Sequence, residues 1–418
     1  MNYVIIGNST AAIAGVEGIR EVDSQGEIVL ISRETHHTYS KPLISYYLAG
    51  KVSRENMDYR PADFYARNRV KTYLGQEVTS INPETKTVHL EPEDVDLSYE
   101  RLLIATGGSP IVPPVFRGDY LNLHQFYCLD DVLNLSRSLE EERPRKIAII
   151  GGGLIGLKAA ESMVLRKQHV IVIEAGPYLL GSIMDREGAA LVHEHLVEQG
   201  IEFYFSRPVI QLETGARGIE GLILEDHTVV ACDMVLLAAG VRAAYPPTVA
   251  GGLKTDLGIL VDNYMQTSIP GIFAAGDVAQ GFDMMAEVSR PVPILSGAYR
   301  QGRIAGLNMA GQKKESSGIM AFNSIPLLGL NIATAGLSTE VGDDFTPLSK
   351  TGPGKIYQKL ILKENRIHGL IFVGDISRAG MYRGLMTKKA DISSYRQHLL
   401  SSDFGLKYLP EEYIEEVL

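Results

Sequence analysis

Three glycines and one glutamate in the middle of the chain have the spacing of a dinucleotide site. They are Gly151, Gly153 and Gly156, with Glu174 at the end of the next apolar run. The first glycine permits a tight turn, the second lets the backbone approach a pyrophosphate, and the third lets helix and strand pack closely. The following helix presents free N–H groups to the phosphates. A carboxylate at Glu174 accepts hydrogen bonds from a ribose diol and repels a 2′-phosphate, which favours NAD(H) over NADP(H).

A second, altered copy of this pattern opens the chain as Gly7, Ser9 and Ala12. Ser9 replaces the glycine of closest approach, but its hydroxyl can donate to a phosphate oxygen. The alternative is a strand–helix–strand unit that has lost its nucleotide. The run "GIFAAGDVA" argues against that alternative, because Asp277 follows a strand and a glycine turn and can bind the hydroxyls of a ribityl chain.

The chain contains only two cysteines, Cys128 and Cys232, and no C-x-x-C pair. A disulfide scaffold, a cysteine-ligated zinc site and a four-cysteine iron–sulfur cluster are therefore excluded. Relay of electrons through a dithiol is also excluded. We expect each to be a small buried or semi-buried thiol. The scattered histidines suggest no metal site.

Composition narrows the class of partner. The net charge of −10 argues against nucleic acid or an anionic membrane surface, although a local basic patch can still dock a partner. No run approaches 18 apolar residues, so no membrane span is expected. The chain opens on an apolar strand without a signal-like segment, and we expect a cytoplasmic location.

Two segments share one design of strand, glycine-rich turn, helix and strand. They are "YVIIGNSTAAIAGVEGIR" followed by "EIVLIS", and "KIAIIGGGLIGLKAAESM" followed by "HVIVIE". The runs "LLIATGGSP" and "VLLAAGVRA" also match each other. The fold class predicted is α/β, with two Rossmann-like dinucleotide-binding domains, one inserted in the other. The predicted FAD-binding domain spans 1–113 and 241–315, and the NAD(H)-binding domain spans 114–240.

The third region, 316–418, is predicted to be an α+β interface or dimerisation domain. The stretch "GKIYQKLILKENRIHGLIFVGD" indicates a hairpin whose two strands are joined by Glu364 and Asn365. Pro246 and Pro247 are expected near the way out of the inserted domain. The acidic end, "YLPEEYIEEVL", is expected to pack on its own domain or on a partner.

Together the glycine-rich segments, "LLIATGGSP", "VLLAAGVRA" and "TSIPGIFAAGDVA" resemble the five signatures of the FAD/NAD(P)-binding pyridine nucleotide-dependent flavoprotein oxidoreductases. The resemblance covers residues 1 to about 312. "YSKPLISYYLAGK" resembles the rubredoxin-, ferredoxin- and nitrite-reductase branch, in which a Tyr-x-Arg/Lys-Pro segment precedes a helix.

The resemblance implies FAD in the first domain and NAD(H) in the second. The implied FAD residues are Gly7, Ser9 and Ala12 at the pyrophosphate, Glu34 near the adenosine ribose, Lys41, Pro42, Val78 at adenine, Thr106, Gly107, Gly276, and Asp277 at the ribityl chain. Pro291 and Pro293 precede a helix whose N-terminus is expected to stabilise negative charge at the flavin N1 position. The implied NAD(H) residues are Gly151, Gly153, Leu154, Ile155, Gly156, Glu174 and Gly240.

Two residues depart from the family pattern. Many relatives have a lysine near flavin N5 where this chain has Tyr46, and a glutamate where it has Lys158. Our hypothesis is that Lys158 supplies the positive charge near N5, supported by Lys41, and that Tyr46 completes this catalytic set. The alternative is a Lys158 side chain that points to solvent.

Without a thiol relay, the next electron carrier must meet the flavin directly. We therefore expect an FAD-dependent enzyme that moves electrons between NADH and a one-electron iron or iron–sulfur carrier of the rubredoxin or ferredoxin type. The alternative is an FAD- and NAD-binding subunit of a metal-containing dehydrogenase complex that reduces NAD⁺ from iron–sulfur clusters. The expected partner is a carrier protein or an iron–sulfur subunit, in a homodimer or a hetero-complex. A third hypothesis is an NADH oxidase that makes peroxide from oxygen, as a side activity of an exposed reduced flavin.

Overall fold

The fold is described from a computed structural model, in which residues 1–142, 144–216, 218–246, 252–339 and 342–409 are described. Arg143, Arg217, Pro247 and most of the acidic end, from Pro410 to Leu418, lie outside this set. Within the described ranges, no helix is long and apolar enough to cross a membrane.

The N-terminal part forms a parallel sheet of order β19-β7-β1-β2-β3, in which β19 (Ile272–Ala274) comes from a later part of the chain. Strands β1, β7 and β19 are buried nearly throughout, whereas the edge strand β3 is only partly buried. Its elements are β1 (Asn2–Ile6), α1 (Thr10–Val22), β2 (Glu27–Ser32), α2 (Leu43–Leu48), α3 (Phe64–Arg67), β3 (Val70–Leu74), β4 (Glu77–Asn82), β5 (Thr87–Glu91), β6 (Val95–Ser98), β7 (Arg101–Ile104) and β8 (Gly108–Pro110). Strands β4, β5 and β6 form a separate antiparallel sheet. Continuous apolar runs such as "YVII" fit a parallel sheet because both of its faces are covered.

The middle part repeats this arrangement in a parallel sheet of order β12-β11-β10-β16-β9. Its elements are β9 (Leu123–Gln125), α4 (Leu129–Glu141), β10 (Lys146–Ile150), α5 (Leu154–Leu165), β11 (His169–Glu174), α6 (Arg186–Glu198), β12 (Glu202–Phe205), β13 (Val209–Gly215), β14 (Gly218–Leu224), β15 (Val229–Ala231), β16 (Met234–Leu237) and β17 (Val241–Ala243). Both predicted strand–turn–helix–strand units are present, as β1-α1-β2 and β10-α5-β11.

The last part returns to the first sheet and then forms an antiparallel one. Its elements are β18 (Ile259–Leu260), β19 (Ile272–Ala274), β20 (Ala279–Asp283), β21 (Val288–Arg290), α7 (Leu295–Met309), β22 (Phe322–Leu327), β23 (Leu330–Gly336), β24 (Thr346–Gly352), β25 (Ile356–Lys363), β26 (Arg366–Val373) and α8 (Ala379–Thr387). Strand β19 pairs with β7, so the last strand of the first sheet follows the whole middle sheet in the sequence. The predicted fold class is confirmed, while the exact domain limits stay predictions.

The chain passes between the two parallel sheets at a short antiparallel pair, β8 with β17. The C-terminal sheet has the order β22-β23-β26-β25-β24, and α8 packs on it. The predicted hairpin is confirmed as β25 and β26, whose connecting residues Glu364 and Asn365 both have positive φ. That backbone conformation is the one a two-residue hairpin turn of matching twist requires.

Helices α1 and α7 approach so closely that their backbones touch. A Cβ atom on Gly302 or Gly306 of α7 would overlap the backbone oxygen of Ala11 or Gly15 on α1. Only glycine fits at such a crossing. The contact fixes the N-terminus of α7 beside the glycine turn that begins α1.

Replacing Gly302 by alanine should therefore lower the free energy of unfolding by about 1–3 kcal/mol, because overpacking forces the backbones apart. Gly384 of α8 is the matched control, since a Cβ there would meet no atom within 4 Å. Gly384→Ala should stabilise the helix by up to about 1 kcal/mol. Chemical denaturation of the two variants measures both effects, and equal stabilities would contradict this account of the crossing.

Candidate functional site

The first glycine turn joins β1 to α1 in a conformation that admits no side chain at its first position. Gly7 has a φ of +123°, and a Cβ there would overlap the carbonyl oxygen of Ala105. Ser9 is the residue before the helix, yet its side chain makes no capping hydrogen bond. Its hydroxyl therefore remains available to a ligand. Ala12 is fully buried between helix and sheet.

The second turn, between β10 and α5, has the same construction. Gly151 has a φ of +113°, and a Cβ on Gly151 or Gly156 would overlap backbone oxygen of Ala238 or Gly151 respectively. Gly153 differs, because a Cβ there would meet nothing within 4 Å. Open space at Gly153 is consistent with the predicted approach of a pyrophosphate to this backbone.

Glu174 lies at the end of β11 and is held by backbone N–H groups on both sides. One carboxylate oxygen accepts from Gly152 N at 2.6 Å and the other accepts from Gly176 N at 2.6 Å. These bonds orient the carboxylate beside the turn, which is where a ribose diol of NAD(H) is predicted to bind. The predicted role itself stays a prediction.

A cavity of about 1830 Å³ lies between the first sheet, α5 and the C-terminal sheet. The sequence-predicted residues that line it are Gly7, Ser9, Glu34, Lys41, Pro42, Tyr46, Val78, Thr106, Gly107, Leu154, Ile155, Lys158, Gly276, Asp277 and Pro293. Residues separated by almost the whole chain thus meet at one space. The lining excludes Ala12, Gly151, Gly153, Gly156, Glu174 and Gly240, which lie behind it or at the second turn.

Asp277 is a carboxylate that faces this cavity without a hydrogen-bond partner among the residues that the structure describes. Burial raises the pKa of its carboxyl group, and the positive charge of Lys41 partly opposes that rise. The Lys41 ammonium group lies 4.1 Å from the centre of the Tyr127 ring and 4.0 Å from a Glu34 carboxylate oxygen. An uncompensated carboxylate at this position is suited to accept hydrogen bonds from a bound ligand.

Glu34 takes part in a hydrogen-bond chain that joins the first sheet to α4. Tyr39 donates its hydroxyl proton to Glu34 at 2.6 Å, and the same hydroxyl oxygen accepts from Leu129 N at 2.9 Å. Burial and the neighbouring carboxylate raise the pKa of Tyr39, which keeps this phenol protonated. Glu34 is thereby held at the cavity wall, where the ribose of the adenosine half of FAD is predicted.

Helix α7 begins at the cavity wall, as predicted from Pro291 and Pro293. Ile294, Leu295 and Ser296 line the space, and the preceding residue offers no side-chain cap. The free N–H groups of this fifteen-residue helix therefore place partial positive charge there. Pro293 lines the cavity, whereas Pro291 does not.

Lys158 and Tyr46, the two departures from the family pattern, are in contact. The Lys158 ammonium group lies 4.6 Å from the centre of the Tyr46 ring, and only 17% of the Lys158 side chain is exposed. It also pairs with Glu161 and donates to the carbonyl oxygen of Pro326 at 3.3 Å. The side chain is thus held at the cavity wall, and the solvent-facing alternative is not observed.

The C-terminal sheet contributes residues that sequence reasoning missed. Strand β22 lines the cavity from Phe322 to Pro326, and Arg383 of α8 lies over the Phe322 ring at 5.0 Å. No motif marks these residues, because neither their type nor their spacing is unusual. Tyr127, which precedes Cys128, was also missed.

Neither cysteine lines the cavity. Burial is the main cause that raises the pKa of the Cys128 and Cys232 thiols to about 12 each. Both thiols are therefore protonated at neutral pH and poor nucleophiles. Among the described residues, no group of three histidine, cysteine or acidic side chains could hold a metal ion.

These features fit FAD. The cavity has a wall without side chains at Gly7 and Gly107, an unpartnered carboxylate at Asp277, and the N-terminus of helix α7. Leu154 and Ile155, from the first turn of α5, reach the same space from the second sheet. A nicotinamide that follows the second glycine turn would thus meet the flavin in one cavity.

Comparison with known proteins agrees with this geometry. The family model for pyridine nucleotide-disulphide oxidoreductases matches residues 1–302. The epsilon subunit of NADH-dependent phenylglyoxylate dehydrogenase from Aromatoleum evansii is 29% identical over 97% of this chain and 96% of its own length. An NADH oxidase from Methanocaldococcus jannaschii is 30% identical over 74% of this chain and 70% of its own length.

Among solved structures, the covalent putidaredoxin reductase–putidaredoxin complex superposes with a TM-score of 0.85. The match covers 93% of this chain and 94% of the other at 24% sequence identity. At that identity the likeness supports the fold, including the C-terminal sheet.

Replacing Asp277 by asparagine should weaken FAD binding by about ten- to a hundredfold. The physical reason is that a hydrogen bond with a charged group contributes ~1.5–3 kcal/mol. Titration of the flavin-free protein with FAD measures the change. Asp119→Asn, at an exposed position outside the cavity, is the control that should leave the affinity unchanged.

The same variant should have the opposite effect on the stability of the flavin-free protein. Because the folded-state pKa of Asp277 is raised, its contribution to stability is present below the ordinary carboxyl pKa and is lost as the pH rises. Asparagine does not ionise. The stability of D277N should therefore equal that of the wild type at about pH 4 and exceed it at about pH 7. Thermal unfolding at both pH values tests this, and a lower stability of D277N at the higher pH would refute it.

Proposed function

The chain belongs to the pyridine nucleotide-disulphide oxidoreductase family as an NAD(H)-dependent FAD enzyme, and on this premise we propose that it moves electrons between NADH and a one-electron iron or iron–sulfur carrier without a cysteine relay. The carrier is of the rubredoxin or ferredoxin type. A cytoplasmic location and assembly as a homodimer or hetero-complex belong to the same proposal.

The observation that carries the proposal is the absence of a thiol from the cavity. The chain has only two cysteines, and neither Cys128 nor Cys232 lines the space. Both have a pKa of about 12, so neither supplies a thiolate at neutral pH. The reduction of a disulfide substrate, as the family name implies, needs a cysteine thiolate, and this chain has none in the cavity. Electrons must therefore pass from the flavin directly to the acceptor.

The cavity residues supply binding and electrostatics for that transfer. FAD held in this cavity would supply two-electron chemistry toward NADH and one-electron chemistry toward a carrier. The N-terminus of α7 places partial positive charge at one wall, and Lys158 places a full positive charge at another. Positive charge on both sides favours a negatively charged isoalloxazine ring. The predicted catalytic roles of Lys158, Lys41 and Tyr46 are part of this proposal.

The mouth of the cavity is suited to an acidic carrier. Arg300 and Arg383 are exposed and line the same opening, and Arg383 lies over Phe322. Leu295, 42% exposed, adds apolar surface to the same lining. The net charge of the chain is −10 and would repel an acidic partner. The positive charge of these two arginines attracts such a partner locally, at the cavity.

A second candidate is supported by one specific comparison. The relative from Aromatoleum evansii is named as one subunit of a dehydrogenase, and the match covers nearly the full length of both chains. That likeness supports the alternative in which the chain is a subunit of a dehydrogenase complex. The metal content of the complex and the transfer of electrons from iron–sulfur clusters to NAD⁺ are part of the proposal alone. The same cavity and the same two arginines would serve the reverse direction.

Anaerobic titration with NADH, followed by addition of carriers, separates these candidates. Loss of the oxidised flavin absorbance on adding NADH is expected in both cases, and its absence would refute the assignment of cofactors. Return of that absorbance on adding rubredoxin or ferredoxin to the isolated chain supports the carrier enzyme. Co-purification of an iron–sulfur subunit, with no reaction toward added carriers, supports the complex. Reoxidation by oxygen alone would instead support an NADH oxidase.

Charge reversal at the cavity mouth should impair carrier reduction selectively. Arg383→Glu is expected to raise the KM for an acidic carrier about fivefold or more and to make the rate less sensitive to salt, because the attraction that steers the carrier is removed. The rate with ferricyanide, a small acceptor that needs no docking surface, should change much less. Arg117→Glu is a matched control, since Arg117 is exposed and does not line the cavity. Equal effects of the two variants would exclude this docking surface.

A further inference from the structure

Glu161 is a buried carboxylate at which three parts of the chain meet. It lies on α5, one turn after Lys158, and its side chain is only 8% exposed. One oxygen pairs with Lys158, and the other accepts from Leu328 N in the β22–β23 turn at 3.3 Å and lies 3.9 Å from the Lys51 ammonium group. Glu161 therefore connects the segment after α2, the NAD(H)-side helix and the C-terminal sheet.

The two lysines bound by Glu161 flank one aromatic ring. The Lys158 ammonium group lies 4.6 Å from the centre of the Tyr46 ring, and that of Lys51 lies 5.8 Å from it. Cations over the face of a tyrosine ring are attracted by its negative face. We refer to Tyr46, Lys51, Lys158 and Glu161 as the Glu161 junction. Two lysines and one glutamate give the junction a net charge of +1.

The backbone around the junction is held independently of these charges. Ser162 donates its hydroxyl proton to Ser45 O at 2.9 Å, and Arg166 donates to Leu48 O at 2.9 Å. Both acceptors are carbonyls of α2, so α5 is clamped against α2 by neutral and charged donors that do not involve Glu161. Loss of the Glu161 charge should therefore free the Lys158 head without separating the helices.

The members of the junction divide between the cavity and the space behind it. Tyr46 and Lys158 line the large cavity, whereas Glu161 and Lys51 line only a small gap behind that wall. Glu161 itself does not line the cavity. It acts on the site through the lysine that it holds.

We propose that Glu161 is a positioning residue, which holds the Lys158 ammonium group over Tyr46 and sets the net charge that the junction presents to the flavin. This inference rests on the proposed function for one point only, namely that the flavin lies beside the wall formed by Tyr46 and Lys158. Where many relatives have a lysine and a glutamate, this chain has Tyr46 and Lys158. Glu161 then supplies the carboxylate and Lys51 supplies a second cation, both from the space behind the cavity wall.

The sign of the electrostatic effect follows from the charges. Reduction makes the flavin more negative, so additional positive charge nearby raises its midpoint potential. Glu161→Gln changes the junction from +1 to +2 and should shift the potential to more positive values. Lys158→Gln and Lys51→Gln each change it to zero and should shift the potential to more negative values. A merely structural role for Glu161 predicts no such opposition of sign.

The test compares E161Q, E161D, K158Q and K51Q in the FAD-loaded protein. The midpoint potential of the flavin is measured by anaerobic spectroelectrochemical titration, and the rate constant for reduction by NADH is measured by stopped flow. E161Q should give a more positive potential and a rate constant lower by about tenfold or more, because a displaced cation no longer orients the reacting groups. E161D keeps the charge and should return the potential toward the wild-type value.

Glu198→Gln is the matched control. Glu198 also pairs with a lysine, Lys355, across the contact between the middle part and the C-terminal sheet, and neither residue lines the cavity. The control should leave both the potential and the rate constant unchanged.

An E161Q potential equal to that of the wild type, or shifted in the same direction as K158Q, would overturn the inference. If E161Q fails to fold, K51Q decides the question alone, since Lys51 is 46% exposed and its replacement should leave the fold intact. A K51Q potential equal to that of the wild type would then refute the proposal. Failure of NADH to reduce the wild-type flavin is a separate outcome, which would refute the proposed function and not the junction's structure.

Discussion

The backbone contact between α1 and α7 is the constraint on which the cavity depends. Glycines at Gly15, Gly18, Gly302 and Gly306 leave no side chain between the two helices, so the helices cross at the shortest distance available. Since α1 begins at the first glycine turn and α7 begins at the cavity wall, this crossing fixes where the two helix N-termini lie relative to each other at the FAD site. Residues almost three hundred positions apart become neighbours because side chains are missing at the crossing.

One charge at the cavity, the Asp277 carboxylate, lacks a partner in the protein and is suited to a ligand. Asp277 has no hydrogen-bond partner among the described residues, and its burial makes ionisation unfavourable. Glu34 and Lys41, in contrast, are held by neighbours and keep their positions without a ligand. Such a site trades stability of the flavin-free protein for affinity, since the cost of burying a charge is recovered when its partner binds.

The C-terminal sheet has a part in the site as well as in the fold. Strand β22 closes one side of the cavity, α8 presents Arg383 at its mouth, and the turn after β22 donates to Glu161. A carrier that docks on this sheet would therefore contact elements joined directly to the junction behind the flavin wall. The physical link is short, because one buried carboxylate touches all three parts of the chain.

The sequence by itself determined the two dinucleotide units, the order of their motifs along the chain and the C-terminal hairpin. Those features depend on local constraints, namely glycine at positions of positive φ, apolar strands of parallel sheets and turn residues such as Glu364 and Asn365. It also determined that no thiol relay exists, because a residue absent from the chain is absent from every fold. The pairing of Tyr46 with Lys158 was suggested only through the family's pattern.

Only the tertiary structure decided which distant side chains meet. The contact of Lys158 with Tyr46, its pairing with Glu161, and the presence of Phe322 and Arg383 at the cavity depend on how helices and sheets cross. Crossing angles arise from packing over many residues, and no spacing of residue types along the chain encodes them. The local motifs therefore identify the cofactors, whereas packing decides which charges surround them.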